Sequence, residues 1–96
     1  MKPELKKILK ARAHALKPVV ITGQNGLSDA VINEIDLALE HHELIKVRIN
    51  ASDRAERLMM SEEICQRLSA EMIQSIGHII AIYRKASRSR RTTAQD

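Results

Sequence analysis

Aromatic side chains are almost missing from this chain: phenylalanine and tryptophan do not occur, and Tyr83 stands alone. A nucleic-acid partner would therefore have to be held by its backbone rather than by stacked bases. Cysteine is equally scarce. Cys65 has no second thiol with which to close an internal disulfide, which agrees with a reducing compartment. No apolar run approaches the roughly 18 residues of a membrane span, and Met1-Lys2-Pro3-Glu4 does not lead into a secretory hydrophobic core, so a cytoplasmic location is expected. Catalytic patterns are wanting too. There is no Ser/His/Asp arrangement with local support, no P-loop lysine, and no carboxylate pair distinguishable from surface charge. His41-His42-Glu43 does not make a metal site, since adjacent helical residues point about 100° apart and no second ligand pair follows. The expectation is a protein that is not an enzyme and needs no cofactor or metal.

Glycine is rare, and its placement is informative. Two of the three glycines bracket Gly23-Gln24-Asn25-Gly26, between the apolar run Val19-Val20-Ile21-Thr22 and a helix that opens at Ser28. Glycine admits φ > 0 and carries no Cβ to keep a ligand away, and the first turn of the following helix presents N–H groups at its positive end. Such a loop suits an anion, although a plain strand-to-helix connection would read the same way.

Net charge is +4, but it is unevenly placed. Residues 1–22 set Lys2, Lys6, Lys7, Lys10, Arg12 and Lys17 against Glu4, a net +5. Residues 23–83 carry five cations and ten anions, a net −5, and residues 84–96 carry Arg84, Lys85, Arg88, Arg90 and Arg91 against Asp96, a net +4. Basic ends around an acidic middle favour a polyanionic partner at the basic surfaces.

Ninety-six residues make one domain with a core large enough to need no staple. Leu5, Ile8, Leu9, Ala13 and Leu16 form a helical stripe, and Lys6, Lys10, His14 and Lys17 follow one another on another face at spacings of four, four and three. Pro18 ends this helix and a strand follows over Val19 to Thr22. A second helix runs from Ser28, its N-cap, to His41 or His42, burying Val31, Ile35, Ala38 and Leu39. The stretch Leu44 to Ile49 alternates, with Ile45, Val47 and Ile49 on one face and Lys46 and Arg48 on the other. A third helix from about Asp53 to Ala70 is expected to bury Ala55, Leu58, Cys65 and Leu68. Two strands flanking Gly77-His78 complete the chain as a tight hairpin. The order α-β-α-β-α-β-β predicts a two-layer α/β domain with a mixed four-stranded sheet over residues 1–84, and residues 85–96 read as a basic, disordered tail.

Several segments together resemble the CRM family (chloroplast RNA splicing and ribosome maturation), in its single-domain bacterial, YhbY-like branch. They are Leu16-Lys17-Pro18-Val19, Gly23-Gln24-Asn25-Gly26-Leu27-Ser28, His42-Glu43-Leu44-Ile45-Lys46-Val47, and Ile76-Gly77-His78 through Ile82-Tyr83-Arg84. The resemblance implies a fold like the C-terminal domain of bacterial translation initiation factor three. It also implies RNA binding through the GxxG loop and nearby basic surface, and association with ribosomal RNA in precursors of the large subunit. Plant members often place lysine after the first glycine, where this chain has Gln24, so phosphate contact here would rest on backbone N–H groups and side-chain amides.

The candidate RNA-binding residues are thus Gly23, Gln24, Asn25 and Gly26 in the loop and Lys6, Lys7, Lys10, His14 and Lys17 along helix one. Lys46, Arg48, Arg84, Lys85, Arg88, Arg90 and Arg91 could extend that surface. The partner expected is RNA, with no membrane, and the protein is expected to act as a monomer. An alternative is an adaptor whose acidic middle docks a basic ribosomal protein, its glycine loop purely structural.

Overall fold

Pro3 opens the first helix at the position where a missing N–H costs nothing, and Lys10 and Arg12 lie in the last turn, where the helix dipole favours cations. The computed structural model describes residues 1–23 and 26–86. In chain order these form α1 (Pro3–Ala13), β1 (Pro18–Ile21), α2 (Asp29–His42), β2 (Leu44–Arg48), α3 (Arg54–Leu68), β3 (Glu71–Ile76) and β4 (Ile79–Tyr83). Gln24, Asn25, Arg88, Arg90 and Arg91 lie outside the described residues.

Local chemistry sets the helix boundaries. Ser28 Oγ accepts the Val31 N–H at 3.2 Å and Asp53 Oδ1 accepts the Glu56 N–H at 2.8 Å, so both later helices start on a side-chain cap. Glu43 (φ 64) and Ser69 (φ 55) end them in the left-handed half of backbone space, reversing the chain into the next strand. Gly77, at φ +57, opens the two-residue turn between β3 and β4, a conformation that side chains resist.

The sheet order is β1-β2-β4-β3, with β1 parallel to β2 and the other pairs antiparallel. Both faces of its centre are packed. On one, Ile45 and Val47 of β2, Ile49 just after it, and Ile80 and Ile82 of β4 meet Ile32, Ile35 and Leu39 of α2 and Ile64 of α3. On the other, Leu44, Ile73 and Ala81 meet Leu9 and Ala13 of α1. The α/β class and mixed sheet stand, but the layers number three: α1 covers the face opposite α2 and α3. The alternation of β2 concealed this, because Leu44 reads as a strand start and Ala81 as a filler, yet both are buried beneath α1.

Two helical stripes also differ from expectation. In α1 only Leu9 and Ala13 are buried, while Leu5, Ile8 and Leu16 remain exposed, since only the second half of the helix meets the sheet. In α3 the buried positions are Ser61 and Ile64, with Cys65 and Leu68 packed at the edge, and Ala55 and Leu58 face outward. The run Leu58-Met59-Met60 spans more than one helix face, so periodicity alone could not choose between them. Ser61 is tolerated in the core because its Oγ donates to Arg57 O at 2.7 Å.

Arg84 is not a surface cation. Its guanidinium donates to Asp36 Oδ1 (2.8 Å), Asp36 O (3.2 Å) and Leu68 O (3.0 Å) and faces Glu40 Oε1 at 3.5 Å, tying the end of β4 to α2 and the end of α3. With its fork so occupied, it leaves the set of residues available to RNA. The packed chain also runs past residue 84: Ala86 is buried and its N–H donates to Glu43 Oε2 at 2.8 Å. Replacing Arg84 by alanine should leave Asp36 and Glu40 side by side without their cation. We expect a loss of about 1.5–3 kcal/mol, read as a lower urea midpoint with unchanged slope.

Candidate nucleic-acid interface

Because β1 and β2 run parallel, the loops that follow them leave the sheet at one end. β4 runs antiparallel to β2, so the Gly77-His78 turn arrives at the same end. Three connections therefore meet there, and polar contacts fix two of them to the end of β2. Thr22, fully buried, donates its N–H to Arg48 O at 3.0 Å. Its Oγ1 accepts the Asn50 N–H at 2.8 Å, and Asn50 Nδ2 donates to Thr22 O at 2.9 Å. On the other side of β2, the Ile49 N–H donates to His78 O, and His78 Nδ1 lies 3.3 Å from Ile49 O. Thr22 and Asn50 are positioning residues that sequence patterning missed. A threonine ending an apolar run and an asparagine after an alternating strand read as ordinary turn chemistry until the two loops are known to be neighbours.

Beyond Thr22, the Gly26 N–H donates to Gly23 O at 3.2 Å. Gly26 sits at φ +70, so glycine there answers a backbone need. Gly23 does not. A Cβ built on it would meet nothing within 4 Å, so what a side chain there would obstruct is an approach from outside. The start of α2 is less inviting to an anion than its sequence suggests. Ser28 already occupies the Val31 N–H, and the exposed Asp29 carboxylate lies in the first turn, 3.7 Å from Arg67.

The cations of α1 are arranged on the sheet face opposite α2. Lys6, Lys7, Lys10, His14 and Lys17 are all exposed, and none enters an ion pair among the described residues. His14 shares a cavity of about 150 Å³ with Lys46, Gln74, Ile76, Ile79 and Ala81. Lys46 and Arg48 point to this face, about 7 Å apart at two-residue spacing along a strand, and Arg48 pairs with Ile21, two residues before Gly23. The structure thus joins His14, Lys46 and Arg48 into a track from α1 toward Gly23. Lys17 lies elsewhere. With Arg12, Val19 and His42 it lines a separate cavity of about 470 Å³ near the start of β1. Six residue steps of extended chain, about 20 Å, separate it from Gly23. Lys85 is exposed, past the end of β4, at that same far end. One small anion cannot touch all these groups; a polymer can.

A family model for the CRS1/YhbY (CRM) domain matches residues 1–84. The chain belongs to this family. A protein of Haemophilus influenzae, named as an RNA-binding protein, is 42% identical over 85 residues, covering 88% of this chain and 86% of its own length. A protein of Pseudomonas aeruginosa is 42% identical over 82 residues, covering 85% of this chain and 79% of its own length. Among solved structures, the solution structure of a Staphylococcus aureus protein, described as an RNA-binding candidate, superposes with a TM-score of 0.79 at 30% identity over 90% of both chains. The CRM match takes in α1 through β4, and with them every candidate residue except Lys85, Arg88, Arg90 and Arg91.

Two polar groups singled out by sequence are ordinary in this CRM domain. Cys65 is half-buried beside the main core, and its thiol is pushed up from its usual value by burial, then by the charges of Glu71 and Glu62, which disfavours the reactive thiolate. His41 and His42 are exposed in the last turn of α2, where the helix dipole favours imidazole.

The two loop glycines should respond differently to alanine. Gly23→Ala should shift stability by no more than about 0.5 kcal/mol, whereas Gly26→Ala should cost about 1–2 kcal/mol from its left-handed backbone, both read by thermal unfolding. Asn50→Ala should speed amide exchange at Gly23 and Gly26, because the Nδ2 bond to Thr22 O is then lost and only the backbone N–H bond to Thr22 Oγ1 remains.

Proposed function

We propose that this protein binds RNA along the sugar-phosphate backbone, with the Gly23–Gly26 turn and the basic surface of α1 and β2 as the contact surface. The observation that carries the reading is the contrast in charge pairing. Arg84 and Arg67 are engaged with Asp36, Glu40, Glu63 and Asp29, while the cations of α1 and the outer face of β2 enter no ion pair among the described residues. Unpaired cations spread over such a length suit a flexible polyanion better than a single phosphate. The name borne by the Haemophilus influenzae relative supports RNA as that polyanion. In our reading the RNA is ribosomal, within precursors of the large subunit, and the protein acts in their assembly in the cytoplasm without catalysing a reaction. The adaptor alternative is less favoured, because part of its acidic middle is already neutralised by Arg67 and Arg84.

Affinity for single-stranded ribosomal RNA fragments should fall with salt. Four neutralised phosphates would give a slope of log K against log salt of about −2.8. Replacing Gln24 and Asn25 together by aspartate should weaken binding about tenfold with the melting temperature unchanged; equal affinity would remove the turn from the mechanism. The triple change Lys6→Glu, Lys7→Glu, Lys10→Glu should abolish both RNA capture and co-sedimentation with large-subunit precursors. An adaptor working through its acidic middle would keep the latter.

A further inference from the structure

A basic concavity outside the surface just described lies on the other face of the sheet. A groove of about 450 Å³ opens between the first turns of α3 and the β3–β4 turn, walled by Arg54, Arg57, Leu58 and His78 over a floor of Ile49 and Ile80. That volume falls in the range of about 300–1,000 Å³ typical of small-ligand sites. Arg54 and Arg57, three residues apart, project from one side of the helix, and neither guanidinium has a hydrogen-bond or ion-pair partner among the described residues. Acids close by are otherwise employed: Glu56 accepts from Ser52 Oγ, and Asp53 caps the helix. Further along α3, Arg67 is paired with Glu63 and Asp29, so isolation is a property of the groove and not of the helix. Leu58, expected in the core, stands exposed at the groove's lip.

Paired guanidiniums beside an apolar wall and an imidazole ring match a phosphate joined to a flat base. We infer that this groove is a second RNA contact, taking one unstacked nucleotide with its phosphate between Arg54 and Arg57 and its base against Leu58 and His78. The inference rests on the RNA reading above and extends it to the opposite face. Imidazole and guanidinium planes both stack on bases, so the lack of Phe and Trp does not forbid base contact here. Position favours a strand over an unrelated acidic peptide. The groove and the glycine turn share the Ile49–Asn50 junction, with Ile49 bonded to His78 and Asn50 to Thr22. β1 and β4 flank β2, so the strand ends that carry the glycine turn and His78 are about 10 Å apart, two strand spacings, a gap that one strand of RNA crosses.

Amide spectra of the isotope-labelled full chain, titrated in parallel with a mixed-sequence single-stranded RNA, adenosine monophosphate and a polyglutamate peptide, test this directly. With RNA, amides of Arg54, Arg57, Ser75 and His78 should shift together with Gly23 and Gly26, and adenosine monophosphate should shift the groove set alone and more weakly. Arg54→Gln with Arg57→Gln should lower RNA affinity about tenfold and reduce the salt slope by about 0.7, leaving the shifts at Gly23 and Gly26 in place. RNA shifts confined to the turn and α1 would overturn the groove and leave the RNA reading standing. No RNA shifts anywhere would overturn both. Groove shifts with polyglutamate but not with RNA would reassign it to an acidic protein and sink the inference, as would saturation by adenosine monophosphate with no further gain from RNA.

Discussion

Burial of one whole face of β2, and of Leu44 on the other, is the constraint from which the molecule is organised. Its Ile45, Val47 and Ile49 enter the core beneath α2 and α3, and Leu44 enters the smaller core beneath α1. A one-residue slip of this strand would send three isoleucine and valine side chains into the cationic face and bring Lys46 and Arg48 inward, so its register against β1 and β4 is strongly specified. The end of β2 is then a fixed point. Thr22 and Asn50 fasten the glycine turn on one side of it, and the Ile49–His78 contacts fasten the hairpin on the other. The glycine-turn end of the sheet is thus held by the core.

Ion pairing is unevenly spread over the molecule. Acidic residues of α2 and α3 are partly consumed in holding the fold, with Arg84 joining three elements and Arg67 bridging α3 to the start of α2. Cations on α1 and the outer side of β2 have no such partners among the described residues. A chain of modest net charge can therefore present a strongly basic surface. The same arrangement limits what the glycine turn can do alone, since Asp29 lies in the first turn of the helix behind it.

Much of the fold was legible in the order of residues. Pro3, Ser28 and Asp53 mark helix starts, Leu44 to Ile49 announces a strand, and Gly77-His78 marks the hairpin, because each depends on neighbours within a few residues. The stripe of α3 was misread because Leu58, Met59 and Met60 offer consecutive apolar positions, and only the sheet decided that Ser61 and Ile64 face it. Arg84 was misread for a related reason. Placed beside a basic tail it looks like part of that tail, and nothing local reveals that Asp36 and Glu40 wait for it.

Sequence alone determined the glycine turn, the lysine face of α1, the sign of charge along the chain and the family to which it belongs, since spacing and composition are properties of the chain before it folds. Tertiary structure decided which cations are free, that α1 lies opposite the other two helices, that Thr22 and Asn50 anchor the turn, and that Arg54, Arg57 and His78 share a groove. Each of these depends on residues distant in sequence meeting across the sheet, and that pairing is set by the joint burial of many side chains and cannot be read from any one segment.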